Sequence, residues 1–444
     1  MRNRARNQWL LEQHVYKHRR EKRRKKLRRA VQNVSVNKYR IDVHRYFTIL
    51  FRFWNAKGYI NEKYCRSVIY APKKFSFKSD FDGSIVFFKE LISTYFLREG
   101  NLSIDFSKCE QASVANFSLL EIIMSEIVEV KEAYNRGRYE HCDKRIKVIR
   151  STKDVKTNKY LHSFMGVKLP ENQNDGSFYN KKSLIRQKQR TLKENPKALV
   201  SHEMVEFFNK SINGVGLELR IEGRRAIEKL MGEVLGNAED HSEPYSYWYV
   251  DGISFLEQKN DLEVVDLNFA IMNIGPSMFE GFEGTKEKNK KNYELCERLY
   301  DIHKSKFTLF NHFEKESLFT MYLLNDGISR LKYEDNSRGN GTIRFLEAFI
   351  TLGSFGASDP RFKSELNVIS GHTTLTCDND MHAYKNDQNS NSLSLNKQKD
   401  IEELPDKEYL TYNKEYYPGT ILECHIFLNK DFFEQTRQKN NENN

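Results

Sequence analysis

The chain has 444 residues, of which 39% are hydrophobic and 30% are charged, and its formal net charge is +11. This composition is typical of a folded protein with two or three domains, and it excludes a largely disordered chain. Residues 1–30 hold 13 Lys/Arg and 2 Asp/Glu, which leaves 59 of the 72 basic and 59 of the 61 acidic side chains in balance elsewhere. The net charge therefore belongs to an N-terminal segment and not to the body of the protein.

The basic segment is the first predicted element, a charged helical arm over residues 1–45. Its lysines and arginines are dense enough to bind polyanions by releasing counterions. Aromatic residues that could stack on bases are nearly absent. We therefore expect residues 1–30 either to contact a nucleic-acid backbone or to form a solvated tail.

Neither disulfides nor a membrane anchor are expected. The six cysteines show no Cys-x-x-Cys spacing, so neither a zinc site nor a disulfide framework is predicted. No apolar run reaches the roughly 18 residues that a membrane-spanning helix needs. A reduced, cytoplasmic protein without membrane contact is the expectation.

Residues 60–175 are predicted to form a small α/β domain. Short β-type runs alternate with longer helical patterns, an order that favours parallel strand pairing. The strands are predicted at 73–77, 102–107 and 145–151, and the helices at 85–97 and 113–130. The strand ending in IDFS and the helix VANFSLLEIIMSEI resemble the STAS-like domains of anti-sigma-factor antagonists. That resemblance implies a domain that binds or accompanies an ATPase, and the alternative is an unrelated α/β domain.

A linker over residues 176–200 is predicted to precede a larger domain over 201–430. The stretch 223–241 reads as a helix with two stripes. The apolar stripe consists of Ile227, Leu230, Met231, Val234, Leu235 and Ala238. The polar stripe consists of Glu233, Asn237, Asp240 and His241, placed where it can line a pocket. Gly232 and Gly236 are poor helix formers, which indicates close approach of a ligand or another backbone.

Four further elements follow in the second half of the chain. An apolar strand leads into Asn273, Gly275 and Pro276, and a glycine-rich turn at residues 339–341 precedes a helix. Two more strands are predicted at 365–378 and 416–428, and they contain His372 and His425, both interpreted as structural. The tail over 431–444 is predicted to be disordered.

The order of these motifs resembles the GHKL superfamily, the histidine kinase-like and gyrase B-like ATPases, over roughly residues 200–430. The resemblance implies an α/β fold, a two-layer sandwich with helices on one face of a mixed sheet, which binds ATP and Mg²⁺. Glu233 then corresponds to the carboxylate that activates the attacking water or hydroxyl, and Asn237 to the magnesium ligand. Asp240 and His241 are expected to line the nucleotide pocket.

The glycine motifs carry the rest of the implied site. Asn273 stands where the family has an aspartate that accepts from the adenine amino group, and Ser277 replaces its second glycine. The remaining implied contacts are made by Gly275 in the first glycine box, by Arg338, Gly339, Asn340 and Gly341 on the phosphates, and by Thr420 beside the adenine. Residues 318–331 correspond to the ATP lid.

Three functions follow from this resemblance. The first is an ATPase that closes its lid and switches contacts with a protein partner, a second copy or its own N-terminal domain. The second is a protein kinase like the anti-sigma kinases, and the third is a nucleotide-binding scaffold without turnover.

Overall fold

The computed structural model describes residues 48–98, 101–137, 145–168, 179–187, 196–241, 247–259, 262–326, 328, 343–348, 363–378, 380–381, 383–385 and 391–429. The predicted arm (1–45), the predicted tail (431–444) and the phosphate motif at 338–341 lie outside these residues. For Asp240 and His241 the helical backbone is described, but not the side chains.

The N-terminal unit is an α/β unit, as predicted. Its elements are α1 Ile49–Ala56, β1 Ile69–Tyr70, β2 Lys74–Phe75, α2 Phe81–Leu97, β3 Leu102–Asp105, β4 Gln111–Ala112, α3 Val114–Gly137, β5 Ile146–Arg150 and α4 Val155–Met165. Strands β1, β3 and β5 form a parallel sheet in that order, and β2 pairs with β4, also in parallel. The predicted alternation of strands and helices with parallel pairing is therefore confirmed.

Helix α2 is buried on most of its surface, although its sequence predicts an amphipathic helix. Asp80 caps its N-terminus by accepting from the backbone N–H of Gly83 at 2.9 Å. Phe87 and Phe88 are at most 2% exposed, and both rings lie within 5.6 Å of the ring of Phe75. The helix contacts both the small sheets and a strand of the larger unit, so it keeps little solvent-facing surface.

The C-terminal unit contains the longer strands. Its elements are β6 Tyr179–Gln187, α5 Pro196–Asn213, α6 Ile221–His241, β7 Tyr247–Lys259, β8 Leu262–Ile274, α7 Met278–Glu283, α8 Lys290–Ser305, α9 Lys315–Tyr322, β9 Glu365–Asp378, β10 Tyr384–Lys385, β11 Asn391–Ser392 and β12 Leu410–Leu428. Residues 343–348 are also helical. Five strands form one sheet in the order β6-β7-β8-β12-β9, and β10 and β11 form a separate pair.

Two expectations for this unit differ from the structure. The five described strands pair only in antiparallel fashion, whereas a mixed sheet was expected. The connection from Lys259 to Leu262 is too short for a parallel crossover, so β7 and β8 must form a hairpin. Residues 176–200 are not simply a linker, because β6 adds an edge strand to the sheet and α5 begins at Pro196.

The large sheet is covered on both faces. On one face, Val250, Leu267 and Phe269 pack in the core that includes the apolar stripe of α6. On the other face, Tyr417 lies 5.8 Å from Phe77, within an apolar cluster shared with the N-terminal unit. The two predicted domains therefore share a core, because an uncovered apolar sheet face would be unfavourable in water.

The segment assigned to an ATP lid begins inside the core. In helix α9, Leu318, Phe319 and Tyr322 have no exposed surface. The ring of Phe319 lies 5.9 Å from that of Tyr293 in α8 and 6.2 Å from that of Phe282 in α7. Residues 318–322 are thus held by aromatic packing, which corrects the expectation that the whole segment is a movable lid.

None of the helices among the described residues is long and apolar enough to cross a bilayer. None of the five cysteines in the described ranges is part of a disulfide.

Candidate functional site

Helix α6 carries both stripes that its sequence predicts. Met231, Val234 and Leu235 are at most 1% exposed and pack against the large sheet. Glu233 and Asn237, one helical turn apart, are half-buried at the margin of that core. These two polar side chains therefore lie beside the core and not within it.

The two glycines of α6 have different surroundings. A Cβ atom at Gly232 would lie 3.7 Å from Ser201 Oγ, an ordinary contact, while at Gly236 it would meet no described atom within 4 Å. Close approach of another backbone, which the sequence predicts, is not observed among the described residues.

Asn273 joins three separate elements. Its amide nitrogen donates to the carbonyl oxygen of Ala238 in α6 at 3.2 Å, and its side-chain oxygen accepts from the N–H of Thr420 in β12 at 2.7 Å. Asn273 and Thr420 are also register partners in the sheet. Three segments that the sequence assigns to one site, around Asn237, Asn273 and Thr420, therefore meet at one point.

The structure gives physical reasons for both departures from the glycine-box pattern. A carboxylate at position 273 has no proton to donate to Ala238, whereas the asparagine amide does. Ser277 has an ordinary φ of −62° and is the N-cap of α7, where it forms a capping box with Glu280. Glycine is not needed at 277, and the helix gains a cap from serine.

Gly419 is a position in this site at which only glycine fits. Its φ is +136°, and a Cβ atom there would lie 2.1 Å from the carbonyl oxygen of Asn273. The same stretch is held by Ser370, whose hydroxyl donates to the Gly419 carbonyl at 3.0 Å. The close approach of β12 to β8 beside Thr420 therefore requires glycine, which has no side chain, at position 419.

We expect Gly419→Ala to lower the free energy of unfolding by about 2 kcal/mol or more, because backbone strain alone costs about 1–3 kcal/mol and the clash with Asn273 adds to it. Urea denaturation measures the change. Gly223→Ala in α6 is the control, since its nearest neighbour, Leu219 Cδ2, lies at 3.8 Å. Equal stability of the two variants would contradict the packing described for Gly419.

A contact that the sequence did not indicate links the first glycine box to the N-terminal unit. The Glu280 carboxylate accepts from Lys57 Nζ at 2.6 Å and from the hydroxyl of Tyr416. Burial alone would raise the pKa of Glu280, but these donors and the N–H of Ser277 lower it. Of this arrangement, the sequence indicates only that Glu280, three residues after Ser277, can complete a capping box.

A second group missed by the sequence reading lies on the opposite face of the sheet. Asp266, which is 3% exposed, pairs with Lys156 Nζ at 2.7 Å and with His425 Nε2 at 2.8 Å. Burial opposes ionisation, yet the contacts with Lys156 and His425 hold the pKa of Asp266 well below its usual range. His425 and His372, which bonds the Asn413 carbonyl at 3.1 Å, have the structural partners expected of them.

A magnesium ion would find an acceptable donor in the Asn237 side-chain oxygen, since Mg²⁺ prefers oxygen ligands and usually keeps waters and substrate phosphates as its others. No group of three or more His, Cys, Asp or Glu side chains that could hold a metal occurs in the described part of the chain. Asn237 would therefore suit an ion whose other ligands are phosphate oxygens and waters.

Comparison with known proteins returns no relatives. No protein-family model, no curated protein and no solved structure matches the chain.

Proposed function

We propose that the chain is an ATP-binding regulatory protein with a GHKL-type ATPase domain, in which Mg²⁺-dependent hydrolysis is coupled to a switch in partner or domain contacts. The observation that carries this proposal is the junction at Asn273. That side chain bonds both α6, which bears Glu233 and Asn237, and Thr420 on the neighbouring strand. Three segments named by the GHKL resemblance are thus adjacent in space although they lie far apart in sequence.

Each side chain has a distinct part in this proposal. Asn237 holds the metal, which when bound offsets the negative charge of the triphosphate. Glu233 accepts the proton of the attacking water, and its half-buried position one turn before Asn237 suits that part. Thr420 and Asn273 form the wall beside the base, and the Asn273 side-chain oxygen accepts from the Thr420 N–H.

The coupling to a switch is supported by the contacts of Glu280. Helix α7 starts three residues after Gly275, and its Glu280 bonds Lys57 of the N-terminal unit. A change at the first glycine box therefore has a short path to the N-terminal unit.

Equilibrium binding of ATP, with and without Mg²⁺, tests this function on the full chain. We expect Mg²⁺ to strengthen binding by the wild type and to have little effect on Asn237→Ala, because the amide oxygen that holds the ion is gone. Lys229→Ala, an exposed position on the same helix, is the control and should bind like the wild type. If the wild type binds no adenine nucleotide, the proposed function fails.

A further inference from the structure

A cavity of about 320 Å³ lies between the N-terminal unit and the large sheet. The sheet contributes Asn268 from β8, Asn367 from β9 and His425 from β12, and the N-terminal unit contributes Lys78 and Lys156 among others. This volume is at the lower end of the roughly 300–1,000 Å³ usual for small-molecule sites. The cavity is on the opposite face of the sheet from α6, so it is separate from the site around Asn273.

The sheet surface in this cavity is polar across three adjacent strands. His425 pairs in register with Asn268 on one side and with Glu365 on the other. One row further along, Glu423 pairs with Asn367. Glu423, Asn268 and Asn367 are at most 6% exposed. Each has a partner that offsets the cost of burial: Glu423 accepts from the N–H of Ala115, Asn268 donates to Asp266, and Asn367 accepts from the hydroxyl of Thr376.

Beyond these rows the same sheet face becomes apolar. Its next residues are Met272, Ile274, Ile369 and Ile421, and they belong to the core shared with the N-terminal unit. Packing alone would be satisfied by an apolar surface along the whole of this sheet face. The change to polar residues coincides instead with the cavity, which is the pattern of a binding site and not of a packing surface.

The charged side chains at the cavity are already paired within the protein. Lys156 and His425 both contact Asp266, and Lys78 bonds Glu365. The remaining carboxylates have partners too: Glu110 pairs with Lys73, Asp154 accepts from the N–H of Thr157, and Glu423 accepts from the N–H of Ala115. Burial also raises the pKa of Glu423, which favours its neutral form. Each of these charged side chains therefore already has an ion-pair or hydrogen-bond partner in the protein.

The other lining groups are hydroxyls and amides. They come from Ser76, Ser79, Ser113, Gln111, Asn268 and Asn367. None of the described residues at the cavity is Phe, Tyr or Trp, so the described lining lacks the large aromatic rings on which nucleobases usually stack. The side chains of Lys78, Lys156 and His425 are 37%, 30% and 26% exposed, which shows that the cavity opens to solvent.

We propose that this cavity binds a neutral, hydroxyl-rich small molecule of about monosaccharide size between the N-terminal unit and the sheet. Hydroxyl groups both donate and accept, as the serine and asparagine side chains around them do. A neutral ligand leaves the existing ion pairs intact, whereas an anion would have to compete with Asp266 and Glu365 for the lysines. The inference does not depend on the proposed nucleotide chemistry.

Isothermal titration calorimetry on the full chain tests this site, with myo-inositol and D-glucose as neutral probes and inorganic phosphate as the charged one. Ser79 is exposed and lines the cavity, so Ser79→Trp should block its opening without disturbing the core. Ser107→Trp, at an exposed position that does not line the cavity, is the matched control. Asn367→Ala removes one amide from the polar floor.

We expect saturable binding of at least one neutral probe by the wild type and by Ser107→Trp, no binding by Ser79→Trp, and about tenfold weaker binding by Asn367→Ala. Phosphate should give no saturable heat. The inference is overturned if neither neutral probe binds the wild type at millimolar concentrations, if the two tryptophan variants bind alike, or if phosphate binds more tightly than the neutral probes.

Discussion

Replacing Glu233 by alanine is expected to lower the rate of ATP hydrolysis about a hundredfold or more, because a positioned general base typically contributes about 10²–10⁴ to a rate. ATP affinity should change little, since in this proposal the carboxylate acts on the attacking water and not on the nucleotide. Phosphate release under saturating ATP and Mg²⁺ measures the rate, and equilibrium titration measures the affinity. Glu233 is half-buried on α6, so its truncation should leave the core intact.

Glu228→Ala is the matched control, because Glu228 is exposed on the same helix. It should hydrolyse ATP at the wild-type rate. Equal rates for the two variants would remove Glu233 from the proposed chemistry. Transfer of labelled phosphate to protein would favour the kinase alternative, and ATP binding without turnover by the wild type would favour the scaffold.

Replacing Asp266 by asparagine is expected to lower the free energy of unfolding by about 2–4 kcal/mol. Removing one partner of a buried ion pair typically costs about 3–5 kcal/mol. The expected loss is smaller here because Lys156 is partly solvated. The Asp266 oxygens accept from Lys156, His425 and Asn268. In either orientation an amide would place its NH₂ group against one of these donors. Urea denaturation at neutral pH measures the loss.

The same pair of proteins has an expected pH dependence. Because the folded state lowers the pKa of Asp266, its stabilising contribution is present above the unfolded-state pKa and is lost as pH falls towards the folded-state pKa. The difference in stability between wild type and Asp266→Asn should therefore shrink below about pH 4. Asp301→Asn, at an exposed position in α8, is the control and should cost little at any pH. A difference that grows as pH falls would contradict the ion-pair description.

Much of the local structure could be predicted because it depends on neighbours in sequence. The apolar spacing in 223–241 predicts α6 and its buried stripe, and both are observed. The strand predicted over 365–378 coincides with β9. Helical and strand periodicities follow from backbone geometry, so a short window of sequence suffices to read them.

For the candidate site, motif order makes Glu233, Asn237, Asn273 and Thr420 candidates, and their assignment stays a prediction. The hydrogen bonds of the Asn273 amide with Ala238 and Thr420 could not be predicted, because these residues are 35 and 147 positions away from Asn273 in the sequence. A sequence motif identifies which chemical groups are present. Only the packing of α6 on β8 and β12 determines which hydrogen bonds these groups make within the protein.

The sequence by itself determined the α/β character of both units, the two stripes of α6 and the chemical types of the candidate nucleotide residues. The tertiary structure decided that β6 belongs to the large sheet, that α9 lies in the core and that the two units share one apolar cluster. It also brought Lys156 to Asp266 across 110 residues. The physical reason is that hydrophobic burial and ion pairing act between any surfaces that meet, whatever their separation along the chain, whereas helix and strand patterns record only local geometry.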